Sequence, residues 1–100
     1  QAVDIRFDLN GVNFVWNDEK ARQNVLNHEG ITFERAAEVF FDPFFRLVDA
    51  SRNDEARDAA IGYDTLGRLL YVVNIAFEDD TIRLISARKA TAQERNDHDS

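Results

Sequence analysis

A chain of 100 residues, 44% hydrophobic and 31% charged, is long enough for one globular domain and too apolar to stay disordered. The lack of cysteine excludes a disulfide scaffold, thiolate catalysis and Cys-ligated zinc, and two histidines, His28 and His98, leave little for a histidine-rich metal centre, so no metal or other cofactor is expected. The net charge of −7 repels polyanions at long range, but the positive charge is local: residues 81–95 hold Arg83, Arg88, Lys89 and Arg95 against Glu94 alone. No apolar run approaches the ~20 residues of a membrane span and no basic-then-apolar leader is present, so no membrane partner and a reducing, cytoplasmic location are expected.

Residues Val3, Ile5, Phe7 and Leu9 alternate with polar neighbours, break at Asn10-Gly11, and resume with Val12, Phe14 and Trp16, which predicts a β-hairpin. Asn17 or Asp18 can cap a first helix carrying Ala21, Val25 and Leu26 up to Gly30. Thr32 can cap a second, which must stop by Asp42 because Pro43 disfavours the α conformation in its predecessor. Strands follow at 44–48, 57–63, 68–77 and 81–87, separated by the polar stretch Asp49 to Glu55 and by turns at Asp64–Gly67 and Glu78–Asp80. Thr91-Ala92-Gln93-Glu94 fits a capping box, whereas Asn96 to Ser100 has nothing to bury and is expected to fray. The expectation is an α+β domain over residues 1–100: a β-hairpin, two N-terminal helices, a four-stranded antiparallel sheet and a C-terminal helix, with helices on one sheet face.

Lys20, Asn24 and His28 recur every four residues and so share one stripe of the first helix, placing a cation, an amide and a base before one ligand. The competing reading is a solvated face with His28 near the helix C-terminus. Glu55 and Arg57, two apart at a strand start, can flank a phosphate or form a surface ion pair. Arg83 and Arg88 bracket the last strand, with forked donors suited to phosphate oxygens, or else they solubilise the strand ends. Trp16 and Phe40, Phe41, Phe44 and Phe45 are expected in the core rather than stacked on bases. Phosphate-binding glycine loops, nucleophile elbows and paired metal-ligand motifs are absent.

The string Phe14-Val15-Trp16-Asn17 with Lys20, Asn24 and His28, then residues 30–40 and Asp42-Pro43, resembles the N-terminal half of the BrnT family of ribonuclease toxins from type II toxin–antitoxin modules. Glu55-Ala56-Arg57, Gly62, residues 67–73 and above all residues 82–91 with Glu94-Arg95 agree with the second half, Ile85-Ser86-Ala87-Arg88-Lys89-Ala90 most strongly, so that the resemblance spans residues 14–95 and leaves residues 1–13 as an N-terminal extension. Glu29 separates His28 from Gly30, which the family pattern has adjacent. The resemblance implies a RelE-like fold, metal-free RNA cleavage, and a cognate BrnA-like, DNA-binding antitoxin that neutralises the toxin in an oligomeric complex. Carried over by position, it marks Lys20, His28, Glu55, Arg57, Arg83 and Arg88. For attack by the RNA 2′-hydroxyl, His28 or Glu55 would serve as base or acid, Arg57, Arg83 and Arg88 would stabilise the phosphate, and Lys20 would support them. The alternative is a catalytically silent module of the same fold that only binds an antitoxin-like partner.

Overall fold

The computed structural model describes residues 2–100, and its N-terminal alternation forms β1 (Asp4–Leu9) and β2 (Val12–Asn17), paired antiparallel. Asn10 and Gly11 both have positive φ, 50° and 83°, the type I′ turn whose twist matches the flanking strands. The Asn17 side chain accepts from the Lys20 amide and so caps α1 (Asp18–Asn27), where Asp18 and Glu19 complement the positive end of the helix dipole. Thr32 caps α2 (Phe33–Glu38) in the same way, and a 3₁₀ turn, Val39–Phe41, ends the helical segment before Pro43. An antiparallel meander follows, comprising β3 (Arg46–Asp49), β4 (Asp58–Tyr63), β5 (Leu69–Ala76) and β6 (Ile82–Lys89). Thr91 and Glu94 complete a capping box at the start of α3 (Ala92–Asp99). Among the described residues no helix is long and apolar enough to cross a membrane.

The sheet corrects the expected architecture. Instead of two N-terminal helices ahead of a four-stranded antiparallel sheet, there is one six-stranded mixed sheet, ordered β1-β2-β6-β5-β4-β3, and α1 and α2 follow its first two strands. The hairpin joins the meander through a short parallel pairing, Phe14↔Ile82 and Val15↔Arg83. Period-2 patterning states which residues share a face but is silent on which strand lies alongside, and a parallel neighbour distant in sequence leaves no local signal.

One sheet face is closed by α1 and α2. Phe14, Trp16, Leu70, Val72, Leu84 and Ala87 meet Ile31, Phe33, Ala36 and Val39, all buried, each large side chain contributing about 1.5–3 kcal/mol of transfer free energy. Trp16 packs edge-on against Phe33 with centroids 5.7 Å apart, and Phe40 bridges Phe14 and Phe45, as core aromatics should. Phe44, grouped with them from sequence, is instead 76% exposed.

The opposite face carries α3. The residues expected to fray are helical to Asp99 and are held by polar groups rather than by apolar burial. His98 is buried edge-on against Tyr63, at 5.3 Å and 80°, with Nε2 3.5 Å from Asp42 Oδ2, and Arg46 Nη1 donates to the Asp97 carbonyl. Burial pushes the Asp42 carboxyl up, but hydrogen bonds from the Phe44 and Tyr63 amides, with the His98 charge, hold it below its usual value.

Candidate active site

α3 leaves one end of that face open, and the open end is a cleft of about 440 Å³ lined by His28, Ala50, Ser51, Arg52, Arg57, Tyr71, Val73, Ser86 and Arg88. Three of the sequence candidates, His28, Arg57 and Arg88, therefore meet there, from α1, the β3–β4 loop and β6.

A β-bulge decides the role of β6. The register runs Tyr71↔Arg88, Val72↔Ala87 and Val73↔Ser86, then slips to Asn74↔Leu84 and Ile75↔Arg83, leaving Ile85 as the extra residue. In an unbroken strand Leu84, Ser86 and Arg88 would share a face. The bulge inverts the phase instead, so that Leu84 and Ala87 are buried while Ser86 and Arg88 stand on the open face beside Val73 and Tyr71. The Arg88 guanidinium lies 3.9 Å from the Tyr71 ring centroid and forms a bidentate pair with Glu94, Nη1 to Oε1 at 2.8 Å and Nη2 to Oε2 at 2.9 Å. The paired guanidinium holds the Glu94 carboxyl below its usual value, and Glu94 in turn holds Arg88 above its own.

His28 reaches the cleft because Asn24, one turn earlier, fastens α1 to the edge of β6. β2 covers β6 only at Ile82 and Arg83, so the Ala87 backbone has no strand partner on that side. The buried Asn24 amide takes the place of one: Oδ1 accepts from the Ala87 amide and Nδ2 donates to the Ala87 and Ile31 carbonyls, all at 2.9 Å. The Lys20-Asn24-His28 stripe is thus no ligand-facing row; Asn24 is inside, Lys20 is exposed on an earlier turn, and His28 closes the helix beside the cleft. Glu29 takes the left-handed conformation (φ 54°) with Gly30 (φ 76°) and lies 3.5 Å from Lys89. That left-handed turn directly follows His28, which stays on the lining.

The third wall is the β3–β4 loop. Arg52 and Glu55 exchange backbone hydrogen bonds around Asn53 and Asp54, both at positive φ, making a second type I′ turn. The Ser51 hydroxyl accepts from the Arg57 amide, which fixes the base of the loop. Glu55 is therefore in a turn rather than a strand; it pairs with Arg57 and adjoins the cleft only through that arginine. Arg83 shares the sheet face but is committed to Asp4 on β1, with Nη2 2.8 Å from Oδ2, and does not line the cleft. The other six lining residues were not singled out from the sequence, Tyr71 and Arg52 among them. Tyr71 is placed by the β5/β6 register, which no local pattern reveals, and Arg52 by a turn whose only signal was its Asn-Asp dipeptide.

The arrangement is an arginine-lined pocket in an acidic protein: Arg52, Arg57, Arg88 and His28 line it with Ser51, Ser86 and Tyr71, and among the described residues no carboxylate lines it, although Glu55 and Glu94 pair with Arg57 and Arg88 from outside the lining. Such a pocket suits a phosphate whose charge grows during reaction, and it includes an imidazole, that of His28, whose two ring nitrogens can donate and accept a proton. Residues 16–94 match the family model described as "Ribonuclease toxin, BrnT, of type II toxin-antitoxin system". A search of the curated proteins returned no match. A small α+β protein with an arginine-lined, histidine-bearing cleft fits the ribonuclease toxins as a class. This chain belongs to the BrnT family of such toxins in type II toxin–antitoxin systems, and membership implies an antitoxin partner.

Proposed function

We propose that this protein cleaves RNA in the cleft between α1 and β6 without a metal ion, the RNA's own 2′-hydroxyl attacking the adjacent phosphorus. The P–O5′ bond breaks as the P–O2′ bond forms, leaving a 2′,3′-cyclic phosphate and a 5′-hydroxyl. His28 exchanges a proton with the reacting oxygens, and Arg57 and Arg88 stabilise the charge on the phosphate. Glu55, held at the rim by Arg57, is the second proton-transfer candidate; Arg83 and Lys20 stand outside the cleft.

The observation that carries this reading is the convergence of His28, Arg57 and Arg88 on one lining. Divalent-metal catalysis calls for carboxylate oxygens where this cleft presents guanidinium groups. The partner is a BrnA-like, DNA-binding antitoxin, on the strength of the family resemblance, and the acidic surface would speed its capture of a basic partner. The test is incubation of antitoxin-free protein with end-labelled single-stranded RNA in chelator, followed by analysis of the product ends. Cyclic phosphate and 5′-hydroxyl termini support the reading; intact RNA favours a catalytically silent module.

A further inference from the structure

Tyr71 lines two clefts, and Arg88 rests on its ring. One is the pocket of His28 and Arg57; the other, beneath α3, is a second cleft of about 490 Å³ lined by Arg46, Ile61, Tyr71, Glu94 and His98 among others. Glu94 lines only the second. Its two oxygens take the end-on pair of Arg88 donors, while Nη1 also donates to the Lys89 carbonyl at 3.1 Å and the ring of Tyr71 supports one guanidinium face. Among the described residues Nε and the second Nη2 hydrogen of Arg88 have no partner, and those two donors form the side-on fork that also matches a phosphate. Glu94 is itself fixed, because Oε1 accepts from the Thr91 amide in the capping box and the Glu94 amide donates to the Thr91 hydroxyl.

We propose that Glu94 is a positioning residue: α3, through the Thr91–Glu94 capping box, holds the back of the Arg88 guanidinium so that its side-on fork is fixed for an RNA phosphate in the His28 cleft. This rests on the ribonuclease reading. The helix serves the site although none of its residues lines the cleft. A carboxylate that masked the arginine would have to occupy the substrate side, and Glu94 is on the other.

The test is Glu94→Gln in the full chain. The amide oxygen keeps the capping box, so the melting temperature stays within a few degrees of wild type, but the second charged contact to Arg88 is lost. With the arginine free to swing, kcat falls about tenfold to a hundredfold on single-stranded RNA, the scale of a small misplacement of a reacting group. KM stays level or falls, because a negative charge beside the RNA has gone. In the ¹⁵N spectrum the Arg88 Nε–Hε resonance moves and its solvent exchange quickens. Unchanged kcat in Glu94→Gln, alongside inactive Arg88→Ala, overturns the positioning role and leaves the ribonuclease reading standing; increased kcat overturns it in favour of masking. If wild type cleaves nothing, the ribonuclease reading fails, and an unchanged Arg88 Nε–Hε resonance in Glu94→Gln overturns the positioning independently.

Discussion

Asn24→Ala separates the site's two principal elements without touching a residue of its lining. The substitution deletes three buried hydrogen bonds, to the Ala87 amide, the Ala87 carbonyl and the Ile31 carbonyl. At a net of about 1 kcal/mol each, with the backbone groups left dry and unpaired, the loss is about 3–4 kcal/mol. Against a total stability of about 5–15 kcal/mol this is large, and it lowers the melting temperature by about 12–30 °C. Asn24→Asp sharpens the test. A carboxylate keeps the acceptor for the Ala87 amide but turns its other oxygen on two carbonyls, so its folded-state pKa is raised above the unfolded value. The protonated form is then favoured on folding, and the deficit of Asn24→Asp grows as pH rises from about 4 towards 7, whereas that of Asn24→Ala is flat. Urea unfolding at several pH values reads both effects. An Asn24→Ala loss below about 0.5 kcal/mol, or parallel pH profiles for the two variants, would refute the argument that this amide stands in for a missing strand.

Gly62 is crowded rather than flexible: a Cβ there would sit 3.0 Å from Phe45 Cβ and Val39 Cγ1 and 3.1 Å from Asp42 Oδ2, so Gly62→Ala should cost about 1–3 kcal/mol in denaturant titration. Asp42 and Glu94 both have folded-state pKa values below their unfolded ones, so the stability they contribute is fully present above the ordinary carboxylate range and is lost as pH falls through the folded values. Acid titration followed by circular dichroism should accordingly show Asp42→Asn less sensitive to pH in that window than wild type. Arg83→Ala breaks a half-exposed pair with Asp4 and should change stability by less than about 1 kcal/mol in the same titration.

Local structure was legible because it is written locally. Asn10-Gly11, the Asn17 and Thr32 caps, Pro43 and the Thr91–Glu94 box each act within a few residues, and each marks an element boundary in the fold. The sheet order was not legible, because the β2–β6 pairing rests on two distant residue pairs. For the site, residue type carried further than phase. His28, Arg57 and Arg88 were singled out for their chemistry and are brought together, but the regular alternation of β6 would place Arg88 on the buried face, and only the bulge at Ile85 reverses it. Asn24 was misread because a buried amide serving as a strand substitute has the same helical spacing as one serving a ligand. His98 was passed over because the polar stretch around it offers no apolar partner, while its contacts, Tyr63 and Asp42, come from other elements.

The active site proposed for this protein is the cleft where α1, the β3–β4 loop and β6 meet. Its most direct test is single-turnover cleavage of labelled single-stranded RNA in chelator by wild type, His28→Ala, Arg88→Ala and Arg83→Ala, each shown to be folded. A fall of about a hundredfold or more is expected for His28→Ala and Arg88→Ala and a change within a few-fold for Arg83→Ala. Full activity in His28→Ala and Arg88→Ala, with loss in Arg83→Ala, would move the chemistry to the β1–β6 edge and contradict this placement.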